Sequence, residues 1–323
     1  MIMKQVFPAT PSSFGLKRYT MPNGLDIAYQ TKAEAEYFYR DIFEKQVYVK
    51  NGISIRPGDC VFDVGANIGL FTLFVHTRFK DIETYSFEPA PPLFEILRAN
   101  NSFQGPKARL FNCGLSNREK TARFTFYPNS SGMSSFYADI NEEKEVLRSI
   151  LLNQMEKGMA GMEDVMRYSD DLLEERLRSE TYECRLTTLS GVIRKHNVKR
   201  IDLLKIDVQK SEFDILQGIE EEDWERFRQI VIEVHDISGR ADQISDMLGN
   251  RGFRVIAEQD ELYAGSIMYN LYAIKSAATQ TGTSPLSVSA DTSSSQQLQE
   301  RARKYGEALK RQKQSIDKRR KEK

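Results

Sequence analysis

The sequence predicts an α/β chain built on an open, mostly parallel sheet with helices on both faces. Short apolar runs alternate with helical periodicities over residues 57–128 and again over 200–275. The first of those runs breaks into a glycine-framed turn, "VFDVGANIGLFT" at 61–72, before turning apolar again. Such alternation implies right-handed crossovers between parallel strands. A polar, helical stretch over 129–180, interrupted by Gly158 and Gly161, marks an insertion into that sheet and reads as a helical lid.

The elements follow in order. Residues 1–56 form a strand-and-helix lead-in whose "AEAEYFYRDIFE" places Tyr37, Phe38, Ile42 and Phe43 at a helical period. "NGISIRPGD" supplies turn residues before the first core strand. Then come strand "CVFDV", helix "LFTLFVHTRF", strand "ETYSFE", helix "PPLFEILRANN", strand "ARLFNCG" and the alternating "TARFTFYP". After the insertion the rhythm resumes with "IDLLKIDV", "SEFDILQGI", "QIVIEVHD", "QISDMLGNRG" and "FRVIAEQ", and "YNLYAIK" closes it. Residues 57–275 are the core; 276–299, rich in Ser, Thr and Gln, read as a flexible linker, and 300–323 as a basic helical tail.

Composition narrows the function. With 40% hydrophobic residues the chain has ample core material, but no run approaches the length of a membrane span. Residues 1–20 lack the apolar stretch of a secretory signal. Cys60, Cys113 and Cys184 are odd in number and widely spaced, which argues against a disulfide framework or zinc site and for a reduced, cytoplasmic setting. The zero net charge hides an asymmetry: residues 300–323 carry eleven Lys or Arg against four Asp or Glu, leaving 35 against 42 elsewhere. A basic tail can bind nucleic acid or membrane, or be a solvated helix leading to another domain. The latter is expected here, because the body is acidic.

Gly65 and Gly69 allow a sharp strand-to-helix turn and close approach of a ligand to the backbone. Gly65-Ala66-Asn67-Ile68-Gly69 lacks the second close glycine of a dinucleotide fingerprint and has no phosphate-binding lysine. Asp63 beside the turn would repel a pyrophosphate. The spacing D-x-G-x-N-x-G over Asp63, Gly65, Asn67 and Gly69 resembles the S-adenosylmethionine loop of class I methyltransferases, which implies a ligand with no phosphate whose ammonium and sulfonium Asp63 would suit, either directly or through an ordered group. Glu88, 25 residues further on, would take the two ribose hydroxyls, with Pro89 beside it. Asn112, Cys113 and Gly114, at the end of the third strand, would border the adenine.

The motifs "VFDVGANIGLFTL", "YSFEPAPPLFEILRANN", "LFNCGLS", "LLKIDVQKSEFDILQGI" and "IVIEVHDISGR" together resemble FkbM-type methyltransferases, in order and over about residues 45–275. The resemblance implies a class I methyltransferase, Rossmann-like fold with a seven-stranded sheet, and O-methylation from S-adenosylmethionine. The family pattern K-I-D-V-E-G-x-E reads Lys205-Ile206-Asp207-Val208-Gln209-Lys210-Ser211-Glu212 in this chain. With "EVHD" and the basic "RARKYGEALKRQKQ" tail, that variant looks like the O-methyltransferase domains of modular polyketide synthases. The implied substrate is a β-hydroxyl on a phosphopantetheine-linked acyl chain, and the implied partners are an acyl carrier protein and neighbouring synthase domains. A free-standing enzyme for a sugar or macrolide hydroxyl, or a silent interaction module, is the alternative.

Methyl transfer to an aliphatic hydroxyl requires alignment of the oxygen and removal of its proton. His76 lies mid-helix and His196 precedes the fourth strand, so both read as structural. His235 ends the fifth strand, at the carboxyl edge where open α/β sheets keep their ligands, and is the favoured general base. Glu233, two residues earlier, faces the same side and could orient it; Glu212 is a rival for that role, and Asp207 ends the neighbouring strand. Asp207 and Asp236 with a further acid could instead hold Mg²⁺. In the insertion, Met155, Met159, Met162 and Met166 share a helical face, and "NSSGMSSFY" at 129–137 reads as a mobile gate.

Overall fold

A computed structural model of the chain describes residues 15–156, 169–260, 263–264 and 266–276. The lead-in folds as a hairpin, β1 (Arg18–Thr20) and β2 (Asp26–Ala28), and then helix α1 (Lys32–Tyr39), which runs on into a π-helical turn at Arg40–Glu44. Thr31 caps α1 by accepting the Glu34 N–H and donating its hydroxyl to the Glu34 carboxylate. The core follows: β3 (Cys60–Val64), α2 (Leu70–Arg78), β4 (Glu83–Phe87), α3 (Pro91–Asn101) and β5 (Ala108–Phe111). Next come β6 (Gly114–Leu115), β7 (Lys120–Phe126), α4 (Ile140–Glu156), α5 (Ser169–Arg176), β8 (Glu180–Thr187) and α6 (Leu189–His196). β9 (Leu203–Asp207), α7 (Glu212–Gln217), β10 (Gln229–His235), α8 (Arg240–Gly249), β11 (Phe253–Glu258) and β12 (Met268–Lys275) complete it.

Seven strands form the main sheet in the order β11-β12-β10-β9-β3-β4-β5. All its pairings are parallel except those of β12, which runs antiparallel to β10 and β11. This is the seven-stranded, mostly parallel sheet that the sequence predicts. "TARFTFYP", as β7, stands outside it and joins β6 and β8 in a separate sheet of three. β8 and α6 are elements that the sequence pattern did not single out.

The central strands are apolar on both sides because helices cover both faces. One face buries Val61, Leu203 and Val231 against α2, α3 and the lead-in. The other buries Phe62, Leu204 and Ile232 against α6, α7 and α8. Each large apolar side chain buried there contributes about 1.5–3 kcal/mol. His76 and His196 serve this core: His76 bonds Thr84 at 3.0 Å, and burial lowers its pKa to about 4, while His196 packs edge-on against Tyr85 and Phe111.

Over 129–180 the described residues are largely helical, with a small core of their own in which Leu147 of α4 meets Leu173 and Leu177 beside Tyr127. "NSSGMSSFY" is tied down rather than hanging free. Ser135 pairs with Thr125 and donates its hydroxyl to the Gln209 carbonyl at 2.6 Å, and Ser134 accepts the Tyr127 N–H. Met159, Met162 and Met166, the side chain of Met155, and residues 277–323 lie outside what is described.

Candidate active site

A cavity of about 450 Å³ opens where β3, β4, β9 and β10 end, between the 65–69 turn, α1 with its π turn, and the 130–136 segment. Its position follows from topology, since the carboxyl ends of parallel strands lie on one side of the sheet and the crossing loops part there. The π turn brings Arg40, Asp41 and Ile42 into the wall. Such turns recur at functional sites.

The 65–69 turn is shaped by close approach. Gly65 has φ +76°, and a Cβ there would stand 1.9 Å from the backbone oxygen of Asp207. Gly69 has φ +83° and starts α2, where a Cβ would meet Asn101 at 2.3 Å and Leu97 at 2.5 Å. Only glycine lets β3 turn against β9 and α2 pack on α3. Gly65, Ala66 and Asn67 line the cavity, whereas Gly69 serves the helix packing.

Glu88 lines the cavity and is 4% exposed. Its Oε2 accepts the Asn67 N–H at 2.9 Å and its Oε1 the Ala90 N–H at 2.8 Å, which fixes the carboxylate and leaves a lone pair on each oxygen. Burial pushes the Glu88 carboxyl up to about 7, against the pull of those two donors. Such a carboxylate is short of donors, and a ribose diol supplies two.

Asp63 requires correction. It is fully buried, outside the cavity lining, and already engaged: Thr72 donates to one oxygen at 2.7 Å and the Lys205 ammonium stands 3.0 Å from the other. A direct contact to the donor's cationic end is therefore not its arrangement. It anchors Lys205, which donates to the Gly65 carbonyl at 2.8 Å and lies 3.7 Å from Asp207. Burial opposes the charge on Lys205, but Asp63 and Asp207 outweigh it and hold the ammonium above its ordinary pKa.

Two of the residues expected to border the adenine lie elsewhere. Asn112 and Cys113 line a different cleft, of about 610 Å³, between β5 and α6. β5 ends before them, and the chain turns away to start β6. Asn112 donates to the Glu88 and Pro89 carbonyls and so supports the site from behind. Pro89 and Gly114 do line the main cavity.

His235, expected as the general base, does not reach the cavity. It does end β10, but it is 2% exposed and absent from the cavity lining, with Nδ1 3.0 Å from Glu212. Glu212 is itself fully buried, takes the Lys210 N–H, and lies outside the cavity too. Shared strand parity does not bring His235 to the cavity that Glu233 reaches. The pair locks β10 to the start of α7. Asp236 accepts the Ala241 N–H and so holds the first turn of α8; among the described residues, no group of three His, Cys, Asp or Glu has a metal-binding arrangement.

Glu233 and Asp207 do face the cavity, directly opposite each other on β10 and β9. Asp207 accepts the Tyr48 hydroxyl at 2.5 Å. Tyr37 and Tyr263, hydroxyls 2.6 Å apart, stand in the same wall. Nothing in the sequence marks Tyr37, Tyr48 and Tyr263 as site residues, because no local signal relates a lead-in tyrosine to a strand about 160 residues later, or Tyr263 to Tyr37. Lys205 had a signal: it is the one charge within the apolar run "LLKI", two residues before Asp207.

The methyltransferase FkbM domain family matches residues 63–255. The chain is 41% identical over 259 residues to the 31-O-demethyl-FK506 methyltransferase FkbM of Streptomyces tacrolimicus, covering 80% of this chain and 96% of that protein. It is 42% identical over 262 residues to the AMB antimetabolite synthetase AmbE of Pseudomonas aeruginosa, covering 79% of this chain but only 12% of the synthetase. A solved structure of methyltransferase FkbM from Methylobacillus flagellatus aligns at 11% identity with a TM-score of 0.40, over 76% of this chain and 56% of that one. S-adenosylmethionine supplies an activated methyl group, and the residues fit it: a turn open to a ligand at Gly65–Asn67, the donor-poor carboxylate of Glu88, and no phosphate-binding lysine in the turn. The chain belongs to the FkbM family of S-adenosylmethionine-dependent methyltransferases.

Proposed function

We propose that this chain methylates a β-hydroxyl on a carrier-bound polyketide intermediate, acting as an O-methyltransferase domain beside an acyl carrier protein. The observation that carries the hydroxyl assignment is the pair of cavity-facing carboxylates, Glu233 and Asp207, on strands adjoining the donor-side turn. A neutral alcohol needs a proton acceptor, and carboxylates facing the cavity supply one. Glu88 and the Gly65–Asn67 backbone hold the donor, Lys205 fixes the turn through the Gly65 carbonyl, and Met133, Phe136 and Leu147 give the cavity an apolar wall for an acyl chain. The match to a small part of a much longer synthetase supports a domain that works beside others.

Intact-mass analysis of a carrier protein loaded with a 3-hydroxyacyl group, incubated with the chain and S-adenosylmethionine, tests this reading. A gain of one methylene is expected. The full-length match to the 31-O-demethyl-FK506 methyltransferase favours a second reading, a free-standing enzyme for a macrolide hydroxyl. Methylation of a free macrolide alcohol, with the loaded carrier left untouched, decides for it.

A further inference from the structure

We infer that Glu233 takes the proton from the acceptor hydroxyl, with the Asp207 carboxyl group beside it; this assignment rests on the O-methyltransferase reading above. Availability is the first argument. Several other carboxylates of the cavity are already engaged: Glu34 with Thr31 and the Gly132 N–H, Asp41 with Lys45 at 2.8 Å, Glu88 with two backbone N–H groups, and Asp207 with Tyr48. Glu233 faces the cavity and takes a hydrogen bond from no described residue, so its lone pairs are open to a ligand.

Electrostatics is the second argument. Glu233 and Asp207 are register partners on parallel strands, so two carboxylates share one site. Asp207 accepts the Tyr48 hydroxyl and has the Lys205 ammonium 3.7 Å away. Glu233 bears the cost. Burial, with the Asp207, Glu212 and Asp41 carboxylates around it and Lys205 opposing them, holds it well above the ordinary carboxylate range. The other titratable groups around it are phenols, Tyr48, Tyr263 and Tyr272, each raised by burial and by acids that include Glu233. Without a ligand Glu233 tends to keep its proton; a cationic donor in the same cavity favours its release.

The step balances. The ionised Glu233 carboxylate accepts the hydroxyl proton as the acceptor oxygen forms its bond to the methyl carbon. The carbon–sulfur bond breaks and the sulfur keeps the electron pair, so a cation and an anion become a neutral thioether and a carboxylic acid. The proton then passes to solvent.

Two measurements on the full chain test the assignment, using Glu233→Gln and Glu233→Asp. Glu233→Gln keeps shape and should leave S-adenosylmethionine affinity within about threefold in calorimetry, while turnover falls about a hundred- to ten-thousand-fold. Glu233→Asp should retain part of the rate with an altered acid limb in its pH profile. Separately, proton release on S-adenosylmethionine binding, read in buffers of different ionisation enthalpy in a Glu88→Gln background, should diminish when Glu233→Gln is added. Turnover of Glu233→Gln within about threefold of wild type overturns the assignment while leaving the function standing. Failure of wild type to methylate any hydroxyl acceptor removes the function instead. Proton release unchanged by Glu233→Gln overturns the assignment in either case.

Discussion

Lys210 and Glu143 form an ion pair at 3.1 Å with both side chains nearly buried, joining the β9–α7 turn to α4 of the insertion. Lys210 has φ +68°, in the left-handed region where glycine is at ease, and this is the position at which the family pattern carries glycine. A lysine there is strained, and the strain is offset by bonds to Glu142 at 2.7 Å and to Glu143. The departure from the motif therefore fastens the insertion over the cavity.

Lys210→Ala should be costly, because it leaves Glu143 buried without its cation. Removal of one partner from a buried pair typically destabilises by about 3–5 kcal/mol. Lys210→Ala combined with Glu143→Leu should recover most of that loss. Urea denaturation of the four proteins of this cycle measures it, and additive losses would remove the coupling.

Gly65→Ala places a methyl group 1.9 Å from the Asp207 carbonyl oxygen, at a φ that disfavours side chains. The end of β9 has to move, taking Asp207 and the Lys205 anchor with it. S-adenosylmethionine affinity should fall at least tenfold, with a lower melting temperature; calorimetry and a thermal scan check both. Unchanged affinity would mean that the turn does not hold the donor.

Glu88 gives the site a pH signature. Its carboxyl titrates at about 7 without a ligand, and ribose hydroxyls bond the ionised form more strongly. Binding therefore lowers its pKa and releases protons near neutrality, so affinity should rise as pH goes from about 6 to about 8. Glu88→Gln should flatten that part of the rise, and Glu88→Ala should weaken binding by leaving the diol without an acceptor. A wild-type pH profile that Glu88→Gln reproduces would take Glu88 out of the ribose site.

His235→Asn separates a structural histidine from a base. Since His235 is enclosed and bonded to Glu212, the variant should lose stability yet keep turnover per folded molecule within about tenfold. A loss above about a hundredfold at unchanged melting temperature would return the base to His235.

Much of the fold was legible because its signals are local. The glycine turn, the helix after it, and the alternation of apolar strands all appear within ten residues of sequence. The site was legible only where a residue's place on its strand decides its surroundings, as for Glu88, Asp207 and Glu233. His235 shows the limit. It shares strand parity with Glu233, but whether a side chain at the strand end meets a cavity or the start of α7 depends on Glu212, 23 residues away. Asp63 shows another: its partner Lys205 lies on a strand adjacent in space and 142 residues later in sequence.

Transfer from methyl-¹³C S-adenosylmethionine to a carrier-bound 3-hydroxyacyl chain, followed by NMR of the released product, tests the central claim most directly. The account predicts one new methoxy carbon, attached at the former hydroxyl oxygen. Label found on nitrogen or carbon, or none transferred to the hydroxyl although the donor binds, would contradict it.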